Sequence, residues 1–199
     1  MMTEHESADW LERNLSAPER LSGRDTAVWL GARAREIGSA GICVEVGTWC
    51  GYTALALAFG GPLVACVDTY RSSDVQTGQL ALDRLGENVP TTLPRFLVNV
   101  LKAPELVRVV PMVGQSHDVA RAFGSKSVDL VFIDGDHAFE AVVADLVAWS
   151  VALKPGGFYC GHDFGQRGVT EAVTRFLAAS GWPDARTERD QIWWTRRPV

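Results

Sequence analysis

Five side chains that can hold a metal ion or move a proton follow two short apolar runs: Asp134, Asp136, His137, His162 and Asp163. The runs, at 128–133 and 158–160, have the length and composition of buried strands. If these strands are neighbours in a parallel sheet, the side chains after them meet in one crevice. Two carboxylates and an imidazole suit a hard or borderline divalent ion that keeps open positions for water or substrate. We therefore predict Asp134, His162 and Asp163 as metal ligands. The alternative is that the two acids cap turns around a packed histidine.

A glycine turn between a predicted strand and a predicted helix forms a second candidate site. The apolar run at 42–46 leads into Gly47 and Gly51, and strong helix formers follow. Glycine allows a sharp turn and a close approach to a ligand, and the first N–H groups of the helix face that ligand. The G-x-G-x-x-G spacing of dinucleotide folds is absent. Glu45, just before the turn, would repel a pyrophosphate and suits a cationic or hydroxyl-rich ligand. A purely structural turn is the alternative.

A second acid, Asp68, ends the next apolar run, at 62–67. An acid at the carboxyl end of the neighbouring strand can accept hydrogen bonds from both hydroxyls of a ribose, which is why dinucleotide folds place one at this distance. The alternative is that Asp68 caps the turn that follows. Together, Glu45 and Asp68 predict a nucleotide-type cofactor at the ends of consecutive strands.

Strands and helices alternate along the chain and would position both sites. Strands are predicted at 42–46, 62–67, 107–113, 128–133, 158–160 and 191–195. Helices are predicted at 8–15, 24–37, 93–101, 139–153 and 169–177. In the helix at 93–101 we expect Phe96, Val100 and Leu101 to point inward. The helix at 139–153 keeps an apolar stripe of 3.6-residue period and ends before Pro155. The alternation predicts an α/β fold.

Through these residues the chain resembles the class I S-adenosylmethionine-dependent methyltransferases. The segment 45–53 is similar to the first motif of that family, Asp68 falls at its ribose acid, and Gly114, Gln115 and Ser116 resemble the loop beside its adenine. The resemblance extends over roughly residues 40–199. It implies a Rossmann-like methyltransferase fold: a doubly wound, mostly parallel seven-stranded sheet with an antiparallel last strand and N-terminal helices. It also implies S-adenosylmethionine as the cofactor, bound by Glu45, Gly47, Thr48, Gly51, Tyr52, Thr53, Asp68, Thr69, Gln115, Ser116 and Asp134.

Three further segments are similar to small bacterial enzymes related to macrocin and catechol O-methyltransferases: 132–137, 154–157 and 161–163. This similarity implies O-methylation of a small hydroxylated metabolite such as a sugar, a polyketide or a phenol. Catechol-type relatives hold magnesium with an acid at the Asp134 position and an adjacent acid and amide near His162 and Asp163. The chain departs from them, because either His162 replaces the carboxylate or, one register along, Phe164 replaces the amide. Magnesium, manganese, iron and no metal all remain open.

His137 is the residue that we favour as general base, since an imidazole has a pKa near neutrality and relatives carry a lysine near the acceptor at this position. Asp136 is the competing catalytic residue, because sugar-modifying relatives use an acid there. In a third interpretation His137 only caps the helix that begins at Ala138. Two other functions stay open: a metal-dependent hydroxylase-like enzyme on the same scaffold, and a non-catalytic cofactor-binding protein. The mass added to the product distinguishes the first, and the absence of cofactor turnover distinguishes the second.

Composition limits the other classes of function. The chain has 199 residues, 47% of them hydrophobic, a formal net charge of -5 and a sequence pI near 5.4. An acidic chain argues against a nucleic-acid partner, and no apolar stretch reaches membrane-spanning length. The four cysteines lack C-x-x-C spacing and are expected to be reduced core thiols. We therefore expect a cytoplasmic enzyme that acts on a small-molecule acceptor and has no membrane partner.

Two regions allow more than one interpretation. Residues 1–40 are predicted as an N-terminal helical cap on an S-adenosylmethionine-binding domain at 41–199. The cap is a packing lid in one interpretation, and in the other it closes over the cofactor or builds a dimer face. Relatives are often dimeric, so a homodimer is an expectation. The polar run at 70–88 either lines the substrate pocket or is a surface excursion.

Overall fold

The computed structural model of the protein describes residues 2–71, 91–103 and 108–199. These described residues contain one sheet of seven strands: β1 (Ile42–Val46), β2 (Leu63–Asp68), β3 (Val109–Val113), β4 (Val128–Ile133), β5 (Leu153–Gly161), β6 (Arg186–Thr187) and β7 (Trp193–Arg196). The spatial order is β3-β2-β1-β4-β5-β7-β6. Strands β1 to β5 pair in parallel, and β7 pairs antiparallel with both β5 and β6. The predicted mostly parallel sheet with an antiparallel last strand is confirmed.

Helices cover both faces of the sheet. In the described ranges they are α1 (Glu4–Asn14), α2 (Arg24–Ile37), α3 (Tyr52–Phe59), α4 (Leu93–Leu101), α5 (Ser116–Val119), α6 (Phe139–Ala152) and α7 (Arg167–Ser180). Successive side chains of a strand point to opposite faces. On β1, Cys43 therefore joins the core formed with α1 to α4, whereas Val44 packs in the core beneath α6 and α7. This double layering confirms the doubly wound fold.

The N-terminal helices belong to the first of these two cores. Ala8 of α1 and Leu30 of α2 are fully buried in one cluster with Leu55 of α3. A capping box between Thr3 and Glu6 starts α1 ahead of the predicted helix start, because both side chains satisfy N–H groups of the first turn. The packing role of this region is thus observed, while its boundary at residue 40 stays a prediction.

Two predicted strand starts are wrong. β5 begins at Leu153, which pairs with Val128 of β4, rather than at Phe158. The last strand begins at Trp193 rather than at Gln191, because Gln191 adopts a left-handed φ of 58° that ends the extended geometry. Both errors move the boundary of an element and leave the order of the strands unchanged.

The predicted inward face of α4 is partly wrong. Phe96 is fully buried and Val100 packs against the core, but Leu101 is 76% exposed. Five positions after Phe96, Leu101 lies about 140° around the helix. The buried face instead includes Asn99, whose Nδ2 donates to the carbonyl oxygen of Cys50 at 3.0 Å. A polar side chain therefore links α4 to the glycine turn.

Three other sequence expectations concern membrane helices, cysteines and the polar run. No helix in the described ranges is long and apolar enough to cross a membrane. All four cysteines are buried and none forms a disulfide, as expected of core thiols. Positions 72–88 of the polar run and position 107 of the third predicted strand lie outside the described residues, so a substrate-pocket loop there stays a prediction.

Candidate active site

The glycine turn after β1 requires glycine at position 47. Gly47 has a φ of 84°, and a Cβ added there would collide with the backbone of Asp134 and Gly135 after β4. Its N–H donates to the carbonyl oxygen of Val67 at 2.9 Å, while the N–H of Asp134 donates to Val46 at 2.8 Å. The turn is therefore tied to the ends of both neighbouring strands, which brings the two predicted sites side by side.

Glu45 is a fully buried carboxylate at the end of β1. Within the described part of the chain neither of its carboxylate oxygens has a hydrogen-bond partner, although the hydroxyls of Thr48 and Thr53 lie nearby. Burial raises the pKa of Glu45 to about 8, against a lowering effect of the two threonines. A buried carboxylate without a partner is costly. The position therefore fits a cationic ligand that completes its hydrogen bonds.

Asp68 caps the turn after β2 and still has acceptor capacity. Its Oδ2 accepts the N–H of Trp49 at 2.9 Å, and its Oδ1 accepts the N–H of Tyr70 at 2.7 Å. Burial raises the pKa of Asp68, while these N–H groups oppose the rise. A carboxylate has about four acceptor positions, so both oxygens can accept a further hydrogen bond. We call Glu45, Gly47 and Asp68, with Thr48 and Thr53, the cofactor side.

The remaining residues predicted to bind the cofactor lie around this region with varied contacts. Gly51, with a φ of 91°, precedes α3, and Tyr52 is buried as the first residue of that helix. The Thr69 hydroxyl donates to the carbonyl oxygen of Arg71 at 2.8 Å. Gln115 is exposed at the exit of β3. The neighbouring Ser116 Oγ is held by the indole of Trp149, which donates to it at 2.8 Å.

Four of the five side chains that the sequence predicts to meet converge across the ends of β4 and β5; we call Asp134, His137, His162 and Asp163 the histidine cluster. His162 Nδ1 lies 3.4 Å from Asp163 Oδ2 and 3.8 Å from Asp134 Oδ1. His137 Nε2 lies 2.9 Å from the same Asp163 oxygen. Asp136 stays outside the cluster, exposed, and its Oδ1 accepts the N–H of Ala138 at 2.8 Å. The interpretation that His137 caps the following helix is wrong, because Ala138 is the N-cap of that helix and no side chain among the described residues caps it, while His137 Nε2 faces Asp163.

The charges of the histidine cluster compensate one another. Burial favours a raised pKa for Asp163, but hydrogen bonds from His137 and His162 hold its pKa well below the usual range. Burial lowers the pKa of His162, yet the bond with Asp163 and the charge of Asp134 outweigh it and raise the pKa to about 9. The bond to Asp163 likewise raises the pKa of His137. Burial raises the pKa of Asp134, against the charge of His162.

The predicted metal ligands have a geometry that fits a divalent ion. Asp134, His162 and Asp163 each offer one donor atom, and these atoms lie within 4.8 Å of one another. Ligands about 2.0–2.2 Å from one ion are separated by roughly 3–4.4 Å. The separations of 3.4 and 3.8 Å from His162 Nδ1 fall in this range.

Two residues that no sequence motif marks also contact the histidine cluster. The hydroxyl of Ser22, before α2, donates to Asp134 Oδ2 at 3.1 Å. Asp190, between β6 and β7, places its Oδ2 3.9 Å from His162 Nε2. Neither residue belongs to a periodic pattern or a motif, and 112 positions separate Ser22 from Asp134. Only the packing of the chain brings them to the site.

Comparison with known proteins supports the assignment that the geometry suggests. Residues 44–164, more than half of the chain, match the model of a family described as a methyltransferase domain. Three solved structures share the fold. The O-methyltransferase NovP is 16% identical, with coverage of 89% of this chain and 81% of that chain and a TM-score of 0.70. The O-methyltransferase from Bacillus cereus in complex with SAH is 16% identical, with coverages of 99% and 92% and a TM-score of 0.62. The cofactor-bound Rv0187 from MTB is 20% identical, with coverages of 98% and 88% and a TM-score of 0.63.

The chain belongs to this methyltransferase domain family. It is a class I S-adenosylmethionine-dependent methyltransferase, as the resemblance of its motifs implied, and S-adenosylmethionine is its cofactor. The Glu45 carboxylate, which has no hydrogen-bond partner in the described part of the chain, and the close turn at Gly47 fit that cofactor. Family membership favours methyl transfer over the hydroxylase-like and the non-catalytic alternatives.

Proposed function

We propose that the protein transfers the methyl group of S-adenosylmethionine to a hydroxyl group of a small metabolite, such as a sugar, a polyketide or a phenol. The histidine cluster carries this proposal, because it places imidazoles and carboxylates directly beside the cofactor side. Bound S-adenosylmethionine supplies an already activated methyl group. The protein then has to position the acceptor in line and remove a proton from it. The two O-methyltransferases of similar fold support a hydroxyl acceptor.

On the cofactor side we infer a separate role for each acid. Glu45 accepts hydrogen bonds from the cationic ammonium group of the cofactor, since its buried oxygens have no other partner among the described residues. Asp68 accepts the ribose hydroxyls with the lone pairs that Trp49 and Tyr70 leave open. The other residues assigned to the cofactor follow the family motifs: Gly47, Thr48, Gly51, Tyr52, Thr53, Thr69, Gln115, Ser116 and Asp134.

His137 is the proposed general base, with Asp136 as the competing candidate. His137 belongs to the histidine cluster, whereas the Asp136 carboxylate is engaged by the N–H of Ala138. Asp163 raises the pKa of His137, so the imidazole binds a proton from the acceptor more readily than an isolated histidine does. The side chain of His137 is half-exposed, which leaves it open to a substrate.

Asp134, His162 and Asp163 are the proposed ligands of a divalent metal ion. A bound Mg²⁺, Mn²⁺ or Fe²⁺ would favour ionisation of an acceptor hydroxyl. An imidazole among the ligands suits iron better than magnesium or manganese. His137 would then contact the ligand Asp163 from outside the coordination shell and orient it.

The metal proposal is tested by thermal unfolding of the purified protein with each of the three ions. An ion that binds only the folded state at one hundred times its Kd adds about 2.7 kcal/mol of stability, which raises the Tm measurably. Asp163→Ala should abolish the shift, and Asp184→Ala, at an exposed aspartate, should keep it. If all three ions and a chelator leave both Tm and activity unchanged, the cluster is structural.

Methyl transfer itself is tested with isotope-labelled S-adenosylmethionine and a panel of acceptors comprising catechol, simple phenols, hexoses and their amine analogues. We expect the label on a hydroxyl oxygen of at least one acceptor, identified by mass spectrometry of the product. Transfer only to the amine analogues would show an N-methyltransferase instead. A cytoplasmic location is part of the proposal, supported by four buried cysteines that form no disulfide, and cell fractionation tests it.

A further inference from the structure

Residues 16–26, which we call the strap, run from the end of α1 into the first turn of α2 and lie against both sides of the active site. The carbonyl oxygen of Pro18 accepts the indole N–H of Trp49, in the glycine turn, at 3.2 Å. Further along, the Ser22 hydroxyl donates to Asp134 Oδ2 at 3.1 Å. The strap therefore contacts the cofactor side through Trp49 and the histidine cluster through Asp134.

Asp190 fixes the end of the strap. Its Oδ2 accepts the N–H of Gly23 at 2.8 Å and the hydroxyl of Thr26 at 2.5 Å. Thr26 is fully buried, and a Cβ added at Gly23 would collide with the Asp190 carboxylate. Asp190 itself adopts a φ of 61°, a left-handed conformation that aspartate tolerates better than most residues with a side chain. These contacts hold the Asp190 carboxylate against the end of the strap.

The same carboxylate faces the histidine cluster. Asp190 Oδ2 lies 3.9 Å from His162 Nε2, and this buried nitrogen has no hydrogen-bond partner among the described residues. The opposite nitrogen of the ring, Nδ1, faces Asp134 and Asp163. Asp190 therefore lies between the strap and the His162 ring. It is linked to Ser22 by way of Gly23, and to Asp134 by way of His162.

We propose that Asp190 is a positioning residue: it holds the Ser22 hydroxyl and the His162 ring in place against Asp134, and so builds the wall of the site that faces the methyl acceptor. A hydroxyl, an imidazole and carboxylates along this wall suit an acceptor that is itself rich in hydroxyl groups. Methyl transfer depends on in-line placement, and small displacements of a positioning wall reduce it strongly. The role toward the acceptor rests on the proposed function, whereas the attachment of the strap does not.

Attachment of the strap is tested without any acceptor, by limited trypsin digestion of the full chain saturated with S-adenosylhomocysteine. The bond after Arg20 lies within the strap. Asp190→Gly removes both hydrogen bonds without adding strain at a left-handed φ, and should accelerate cleavage after Arg20 about tenfold. Asp190→Asn keeps an oxygen that accepts both bonds and tolerates this φ, so it should restore protection.

The matched control is Gln191→Gly. Gln191 is exposed, lies next to Asp190 and also has a left-handed φ, of 58°, so it reports only the added backbone freedom. A general loss of stability would also accelerate cleavage after Arg175 in α7, whereas opening of the strap leaves cleavage after Arg175 unchanged. Equal Arg20 cleavage rates for Asp190→Gly and Gln191→Gly would overturn the attachment and the proposal with it.

The effect on the acceptor is measured with whichever compound of the acceptor panel the wild type methylates. Asp190→Gly should raise the KM for the acceptor about tenfold while the Kd for S-adenosylhomocysteine stays within about twofold, and Asp190→Asn should recover most of the KM. An unchanged KM beside faster Arg20 cleavage would make Asp190 a structural residue only and overturn the positioning role. If the wild type methylates nothing in the panel, the proposed function fails, and the digestion still decides whether Asp190 holds the strap.

Discussion

The cofactor side and the histidine cluster both bury carboxylates, but they balance the negative charge in different ways. Glu45 has no hydrogen-bond partner among the described residues, and burial raises its pKa to about 8. In the histidine cluster, Asp163 lies 2.9 Å from His137 and 3.4 Å from His162, and its pKa is held well below the usual range. The cofactor side therefore leaves a carboxylate that a cationic ligand can balance, whereas the carboxylates of the histidine cluster face its own imidazoles.

The two regions also respond to pH in opposite directions. The pKa of Glu45 is higher in the folded than in the unfolded protein, so its contribution to stability falls as pH rises from about 4.5 towards 8. The pKa of Asp163 is lower in the folded protein. Its stabilising contribution is present above the unfolded value of about 3.9 and is lost as pH falls through the folded value.

The largest expected effect concerns catalysis by the histidine cluster. His137→Ala should lower kcat about 10²–10⁴-fold, the range for loss of a general base, with little change in cofactor affinity. Asp136→Asn should lower kcat far less. Because Asp163 raises the pKa of His137, the acid limb of kcat/KM should lie above the ordinary histidine value of about 6.5. Full turnover by His137→Ala together with loss of turnover by Asp136→Asn would reverse the assignment.

The next effect concerns the turn that joins the two regions. Gly47→Ala combines a left-handed φ with a collision against Asp134 and Gly135, and should lower the free energy of unfolding by about 2–4 kcal/mol. Gly156→Ala is the matched control, since its φ is 75° but no atom lies within 4 Å of an added Cβ. It should cost about 1–2 kcal/mol. Urea unfolding measures both, and equal costs would show that the close approach to β4 does not matter.

A smaller effect is expected on cofactor affinity, which should depend on the cofactor side and not on the histidine cluster. Asp68→Ala should weaken S-adenosylmethionine binding by about 1.5–3 kcal/mol, the range for hydrogen bonds to a charged group. Asp163→Ala, in the histidine cluster, should leave that affinity nearly unchanged. Calorimetric titration of both folded variants makes the comparison. An unchanged Kd for Asp68→Ala would remove Asp68 from the cofactor side.

The smallest effect is a proton coupled to cofactor binding. With a pKa of about 8, Glu45 is mostly protonated at pH 7, and a cationic ligand should displace that proton. Titration with S-adenosylmethionine in buffers of different ionisation enthalpy should therefore show proton release that Glu45→Gln lacks. Wild-type stability should fall between pH 5 and 7, and Glu45→Gln should reduce this fall. A single titrating group can change the free energy of unfolding by at most about 1.4 kcal/mol per pH unit. Equal release from both proteins would mean that another group supplies the proton.

Most of the fold could be predicted from short stretches of the sequence. The apolar run of β1, Gly47 and the helix formers of α3 are contiguous, so local preference alone predicts their order and their turn. The neighbouring positions of β4 and β5 also followed from the general rules of α/β sheets. The strand starts at Leu153 and Trp193 and the exposed Leu101 could not be predicted, because pairing and packing partners decide where an element ends and which side is covered.

Some features of the candidate site could likewise be predicted from the sequence, and others could not. The sequence by itself determined which residue types follow each strand, and so the convergence of Asp134, His162 and Asp163. Only the tertiary structure decided that Glu45 has no hydrogen-bond partner among the described residues, that Asp136 rather than His137 takes the N–H of Ala138, and that Ser22 and Asp190 reach the cluster. The physical reason is that burial and hydrogen bonds between distant segments depend on how the whole chain packs, whereas periodicity reports only on near neighbours.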